Sequence, residues 1–371
     1  MNRSGQVIGN LLRTAGVTIN GQKPYDIQVH DERFYKRALA DRELGIGEAY
    51  MGGWWSSHKL DETVSRLLSA NLQDAMRPSP ALIKTAVAAR LTNPQKKSKA
   101  YKNASAHYAI GNDLYERMLD SRMIYSCAFW RGAKTLEEAQ VAKLDRICKK
   151  LHLRKGMTLL DIGCGWGGFS KYAAENYGVK VTGVSPVAEQ VKVAKERTKD
   201  LDVTILQKDF REITGKYDRI VSIGMFEHVG PKNYQRFFDI CNDLMNDDGI
   251  MLHHTIGNTK TVKATDPWIN KYIFPGGVIP SIAQIARAAE GKLVIEDLEN
   301  FGPDYDKTLL AWHKNFVKNY PEIKDKYDER FNKMWEYYLL SCAGAFRARK
   351  IQLWQIVLSK IRPSETYIPY R

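Results

Sequence analysis

The sequence predicts an α/β protein in which a mostly parallel sheet is covered by helices on both faces, with a small, mainly helical domain ahead of it. Three observations carry that expectation. A largely apolar run from Met157 to Ile162 leads into Gly163-Cys164-Gly165-Trp166-Gly167-Gly168, after which Phe169, Tyr172, Ala173 and Tyr177 recur at helical spacing as far as Gly178. That is a strand, a tight glycine turn and a helix. Strand and helix patterns then alternate, with strands over 179–184, 203–206, 220–224 and 250–255, helices over 188–197 and 234–245, and Asn246-Asp247-Asp248-Gly249 as a turn before the last strand. Alternation of this kind belongs to parallel strands joined by crossover helices. Upstream the pattern is helical only, with Phe34, Ala38 and Leu39 in one segment and Leu60, Val64, Leu67 and Leu68 in another.

Taken in order, residues 1–77 form the expected N-terminal domain, including Trp54-Trp55, a pair that reads as core or as a lipid or partner contact. Pro78-Ser79-Pro80 opens a basic linker over 78–104, in which Lys84, Arg90, Lys96, Lys97, Lys99 and Lys102 crowd together. The catalytic domain is expected over 105–371. Within it Thr135-Leu136-Glu137-Glu138 has the form of a capping box, followed by Val141, Leu144, Cys148 and Leu151 on one helix face. An aromatic-rich stretch at about 258–345, with Trp268, Trp312, Trp335, Tyr337 and Tyr338, suits either a cap over an apolar substrate or ordinary helical packing.

The 371 residues leave room for two domains and a sizeable core. No apolar run reaches the ~20 residues of a membrane span, and the first residues lack the pattern of a signal peptide, so the expected compartment is the cytoplasm. Five scattered cysteines without a C-x-x-C pair point away from a disulfide framework and from a zinc site; no metal is expected. A formal charge of +14 favours polyanionic partners, either nucleic acid or anionic lipid headgroups, and composition does not choose between them.

The glycine loop marks the site. Gly163, Gly165 and Gly168 satisfy the spacing of a dinucleotide loop, but Asp161 just before them places a carboxylate where a pyrophosphate is disfavoured and a cationic ligand is welcome. S-adenosylmethionine carries a sulfonium and an ammonium and no phosphate. Polar side chains also fall where the parallel reading puts strand ends or active-site loops: Cys127, Glu227 with His228, His254 and Tyr305.

The strings Tyr125-Ser126-Cys127-Ala128, Leu160-Asp161-Ile162-Gly163-Cys164-Gly165-Trp166-Gly167-Gly168, Gly224-Met225-Phe226-Glu227-His228-Val229-Gly230 and Asp266-Pro267-Trp268-Ile269-Asn270-Lys271-Tyr272-Ile273-Phe274-Pro275 together resemble the bacterial cyclopropane-fatty-acyl-phospholipid synthases, of the mycolic acid cyclopropane synthase superfamily. The resemblance runs over essentially the whole chain. It implies a Rossmann-like class I methyltransferase fold with a seven-stranded sheet, and transfer of the methyl carbon of S-adenosylmethionine to a cis double bond of a phospholipid acyl chain through a carbocation. It also implies bicarbonate as the base, cradled by Cys127, Glu227, His254, the backbone N–H of Ile256 and Tyr305. For the cofactor it implies Tyr108, Tyr125 and Ser126 at the sulfonium end, Gly163 and Gly165 alongside, Gln190 near the ribose, and Asp209 and Phe210 on the adenine side. Ser185 stands where many methyltransferases carry a ribose-binding acid. A homodimer attached peripherally to the inner face of the membrane is expected, and nucleic acid is not an expected partner. Two rivals remain at this stage: a nucleic-acid methyltransferase, suggested by the charge, and a lipid-binding module without turnover.

Overall fold

A computed structural model describes residues 2–72, 83, 84, 87, 95, 111–262 and 264–370. Tyr108 and most of the basic stretch 78–104 lie outside these residues. In chain order the elements are α1 (Arg3–Thr14), β1 (Gln28–Val29), α2 (Arg33–Met51), β2 (Trp55–Ser56), α3 (Leu60–Ser69), α4 (Asn112–Met118), α5 (Leu136–Lys150), β3 (Thr158–Ile162), α6 (Gly168–Tyr177), β4 (Lys180–Ser185), α7 (Ala188–Arg197), β5 (Val203–Gln207) and β6 (Tyr217–Ile223). Then follow α8 (Tyr234–Leu244), β7 (Met245–Asn258), α9 (Pro267–Tyr272), α10 (Ile282–Ala289), β8 (Leu293–Asn300), α11 (Pro303–Asn319), α12 (Glu329–Arg347) and β9 (Ile351–Lys360).

The chain divides into two compact units. One comprises Met1–Thr92, Lys263–Pro275 and Tyr305–Gln352; the other comprises Asn93–Val262, Gly276–Asp304 and Leu353–Arg371. The expected boundary at 77 therefore follows chain order only: two pieces of the aromatic-rich stretch cluster with the N-terminal segment instead of with the sheet. The cause is packing. Within the first unit α12 lies against α3 and α2, and Arg347 ties Asp61 (2.6 Å), Glu62 (3.3 Å) and Asp306 (2.9 Å) together. Trp268, Trp312, Trp335 and Phe316 are buried there, and Trp268 meets Tyr337 edge-on at 4.7 Å. Trp55 is core, packed on Phe34 and Tyr50, while Trp54 is half-buried beneath the Arg33 guanidinium.

The second unit carries a seven-stranded sheet of order β5-β4-β3-β6-β7-β9-β8. β3 pairs in parallel with β4 and β6, β4 with β5, and β6 with β7, whereas β8 and β9 are antiparallel. The chain moves outward from β3 to β5, then returns to β6 on the other side of β3. Ligands of doubly wound sheets bind past the strand ends at such a reversal.

Strand alternation decides what faces what. Leu160, Ile162, Ile220, Met251 and Ile356 pack with Phe237 and Phe238 of α8 and Ile285 of α10. Leu159, Val221, Leu252 and Val357 pack on the opposite face with Leu144 and Ile147 of α5 and Phe169 of α6. Asp161, His254 and Gln355 therefore share the α5/α6 face, and His253 takes the other, with Phe226, Phe237 and Phe238 around its ring.

The helices and strands expected over 157–255 form with one exception, while the strands β1, β2 and β8 lie in stretches read as helical or as a cap. No turn separates α8 from β7: Tyr217 pairs with Met245 and Arg219 with Ile250, so the four residues 246–249 bulge out of the strand. Asn246 donates from that bulge to Asp218 at 2.7 Å, and Asp218 also accepts from the backbone N–H of Thr158 at 2.8 Å. Among the described residues no helix is long and apolar enough to cross a membrane.

Candidate active site

β3 ends in a glycine loop whose backbone needs the left-handed region. Gly163 has φ +85°, and a Cβ there would sit 2.8 Å from the Met225 Cβ. A Cβ on Gly165 would meet nothing within 4 Å, leaving room beside the backbone. The loop is held from outside: the Trp166 indole donates to Asn112 of α4 at 3.0 Å, and Tyr115 packs on Trp166 and on Tyr125. Asp161 is buried and accepts the Ser170 hydroxyl at 2.6 Å. Burial pushes its carboxyl up to about 6, against the Ser170 bond and the nearby Lys143.

Beyond the loop, Ser185 at the end of β4 donates to the Gln190 Oε1 at 3.0 Å, which brings those two expected residues together. Asp209 is engaged instead of open. Arg211 closes a bidentate pair on it, at 2.6 and 2.7 Å, and Asp209 caps the short turn Phe210–Glu212. Phe210 packs edge-on against Phe237 at 5.4 Å.

The segment 124–128 is clamped by α5, whose capping box between Thr135 and Glu138 forms as expected. Gln140 donates to the Ser126 carbonyl at 3.0 Å, and Lys143 donates to the Ser126 hydroxyl at 2.9 Å. Gly224, just past β6, faces the Ser126 Cβ. Cys127 is fully buried, its thiol donating to the Ala128 carbonyl at 3.2 Å.

Glu227 lies in the turn after β6, and its Oε1 accepts the Ile256 N–H at 2.7 Å. The resemblance gave that N–H to an anion; here it anchors the carboxylate. The other oxygen, Oε2, has no partner among the described residues. Burial raises the Glu227 pKa and outweighs the Ile256 bond, the residue's own backbone N–H and the nearby Thr255 hydroxyl, all of which lower it. His254 is buried with Nδ1 3.4 Å from the Gln355 amide nitrogen, and its Nε2 is likewise unpartnered among the described residues. Burial first, then Lys143, holds its pKa well below the usual value, so the ring is neutral. Phe301 packs on His254 at 5.8 Å and on Phe129 at 5.6 Å, and Asp304 accepts the Trp130 N–H at 2.9 Å. Tyr305, next in the chain, belongs to the first unit, where it stacks on Phe346 at 4.5 Å.

A family model described as mycolic acid cyclopropane synthetase matches residues 95–356. A curated cyclopropane-fatty-acyl-phospholipid synthase of Escherichia coli (strain K12) is 52% identical over 355 residues, 96% of this chain and 93% of that protein. The chain belongs to the mycolic acid cyclopropane synthetase family.

Solved members of this family share the fold. A cyclopropane synthase of Mycobacterium tuberculosis superposes with TM-score 0.66 at 32% identity, covering 70% of this chain and 98% of that one. A mycolic acid cyclopropane synthase complexed with SAH and CTAB gives 0.66 at 33% identity, with the same coverage. The Rossmann-like class I fold is thus that of an S-adenosylmethionine-dependent methyltransferase. The residues present suit that ligand in two respects, open space at Gly165 and a buried carboxylate behind the loop; at the end of β4 the usual ribose-binding acid is replaced by Ser185, which is bonded to Gln190. Sequence reasoning missed Lys143, Gln140, Ser170, Arg211 and Gln355. The signal for the first two was two polar residues three apart on the buried face of a capped helix.

Proposed function

We propose that the protein is a cyclopropane-fatty-acyl-phospholipid synthase, which moves a methyl carbon from S-adenosylmethionine onto the cis double bond of a phospholipid acyl chain and removes a proton to close the ring. Bound S-adenosylmethionine supplies an electrophilic methyl group, and bound bicarbonate supplies the base. The observation that carries this reading is the position of two of the buried polar atoms that lack a partner among the described residues: Glu227 Oε2, just past β6, and His254 Nε2, on the adjacent strand β7, in the unit that also holds the glycine loop. Unpaired buried polar atoms are costly and call for a ligand.

Their chemistry fits a small protonated oxyanion. Glu227, fixed by the Ile256 N–H, offers an acceptor to an O–H; neutral His254, with Nδ1 turned to the Gln355 amide, offers Nε2–H to an oxygen. Fixed negative charge nearby stabilises a carbocation developing on the alkene carbon. Cys127, fully buried with its thiol donating to a backbone carbonyl, packs and polarises the site. Peripheral binding of the enzyme, as a homodimer, to the cytoplasmic face of the membrane completes the reading; of this, the attraction to anionic phospholipid agrees with the net charge of +14.

The test is transfer of labelled methyl from S-adenosylmethionine into vesicles of unsaturated phospholipid, with gas chromatography of the released acyl chains. Cyclopropane product that disappears in degassed, bicarbonate-free buffer and returns on adding bicarbonate supports the reading. Label that enters nucleic acid, or vesicle binding without label, refutes it.

A further inference from the structure

The buried face of α5 carries a lysine that the reading above leaves unused. Lys143 is 0% exposed, and its ammonium donates to the Ser126 hydroxyl, next to Cys127, at 2.9 Å. Among the described residues no carboxylate closes a salt bridge with it. The carboxylates that act on it electrostatically already have other partners. Asp120 accepts the N–H groups of Ile124 (2.8 Å) and Arg122 (3.2 Å), and Asp161 accepts the Ser170 hydroxyl (2.6 Å). An ammonium so enclosed and so incompletely compensated is expensive, and it is retained where an anion comes to meet it.

We propose that Lys143 is a positioning residue whose buried ammonium supplies the positive potential that retains an inorganic oxyanion beside Cys127 and His254. The inference rests on the reading in which bicarbonate is the base. Three features support it. Lys143 is buried on α5, the helix that covers the sheet face bearing Asp161 and His254, and its ammonium rests on the hydroxyl of the residue just before Cys127. By holding Ser126, it fixes the segment from which Cys127 projects. It also adds to burial, the larger cause, in disfavouring protonation of His254. The same positive charge opposes a bound sulfonium, so the two ligands respond to its removal with opposite sign.

The test uses the full-length enzyme and Lys143→Met, in degassed buffer with bicarbonate titrated back, scored by labelled methyl incorporation into phospholipid vesicles. The expected result is a half-saturating bicarbonate concentration at least tenfold higher, about 1.4 kcal/mol. Affinity for S-adenosylmethionine should rise relative to that for S-adenosylhomocysteine, which lacks the sulfonium charge; mere loosening of the fold weakens both. Lys143→Gln, which keeps a donor but not the charge, should show the same rise and carries the test if the Met variant does not fold. Wild-type half-saturation in either variant overturns the inference while leaving the base reading intact. A wild-type enzyme indifferent to bicarbonate overturns the base reading, and the inference with it.

Discussion

Replacing Glu227 by Gln isolates the polarity of one buried atom. The amide oxygen can keep the 2.7 Å bond to the Ile256 N–H, which leaves the amide NH2 where Oε2 stood. An acceptor becomes a donor with little change of shape. The loss is then one hydrogen bond to a charged group, about 1.5–3 kcal/mol, or roughly 10- to 150-fold in turnover at 1.36 kcal/mol per decade. Affinity for S-adenosylhomocysteine, measured by titration calorimetry, should stay within about twofold of wild type, because the substitution acts on the base and not on the glycine loop. Stability gives a second readout. Burial raises the Glu227 pKa, so its ionised form destabilises the fold increasingly as pH rises through that pKa, and Gln lacks this penalty. The melting temperature of Glu227→Gln relative to wild type should therefore be higher at pH 8 than at pH 4. Equal losses in turnover and in nucleoside affinity would refute the reasoning, because they would place Glu227 on the cofactor.

Other consequences can be checked in the same preparations. Since burial places Asp161 at about 6, its carboxylate is ionised above that pH and lost below it, so affinity for cationic S-adenosylmethionine should fall as pH drops through 6; a flat calorimetric profile from pH 5.5 to pH 8 speaks against a role in charge recognition. Gly163→Ala forces a side chain into φ +85°, 2.8 Å from the Met225 Cβ, which should cost about 1–3 kcal/mol in urea unfolding and abolish nucleoside binding. Lys150 is buried between Glu299 (2.7 Å) and Asp297 (3.4 Å). Lys150→Met should cost about 3 kcal/mol by denaturant unfolding, because the buried Asp297 carboxylate loses this ammonium while the half-buried Glu299 keeps its bidentate bond to Arg146; a change below about 1 kcal/mol would show that the Lys150 charge is not what stabilises Asp297.

What the sequence revealed and what it hid divide along physical lines. The strand-turn-helix at 157–178 was legible because a hydrophobic period and obligatory glycines are local properties. The bulge at 246–249 was not: Asn-Asp-Asp-Gly has turn composition wherever it stands, and only pairing with β6 shows that it bows out of a continuing strand. Lys143 escaped notice because Leu144 and Cys148 already defined an apolar face and a lysine is ordinarily placed in solvent. The donor to Glu227 is a backbone N–H, and every residue but proline has one, so no residue letter announces that Ile256 is spoken for. Asp209 was recognised at its strand end, but the guanidinium two residues on, which occupies it, was not.

The packing of α3 against α12, fastened by Arg347, also constrains how the polypeptide comes off the ribosome. The first helices share a core of their own around Phe34, Tyr50 and Trp55, but the sides of α2 and α3 that face α12 stay uncovered until residue 347 has been synthesised, so this unit closes late and through contacts between distant parts of the chain. Nascent protein stalled short of that point leaves the Val64 side of α3, against which Gly344 of α12 packs, open to solvent, a state prone to self-association and suited to capture by chaperones. A cut in the last quarter of the gene therefore damages the beginning of the molecule as much as its end.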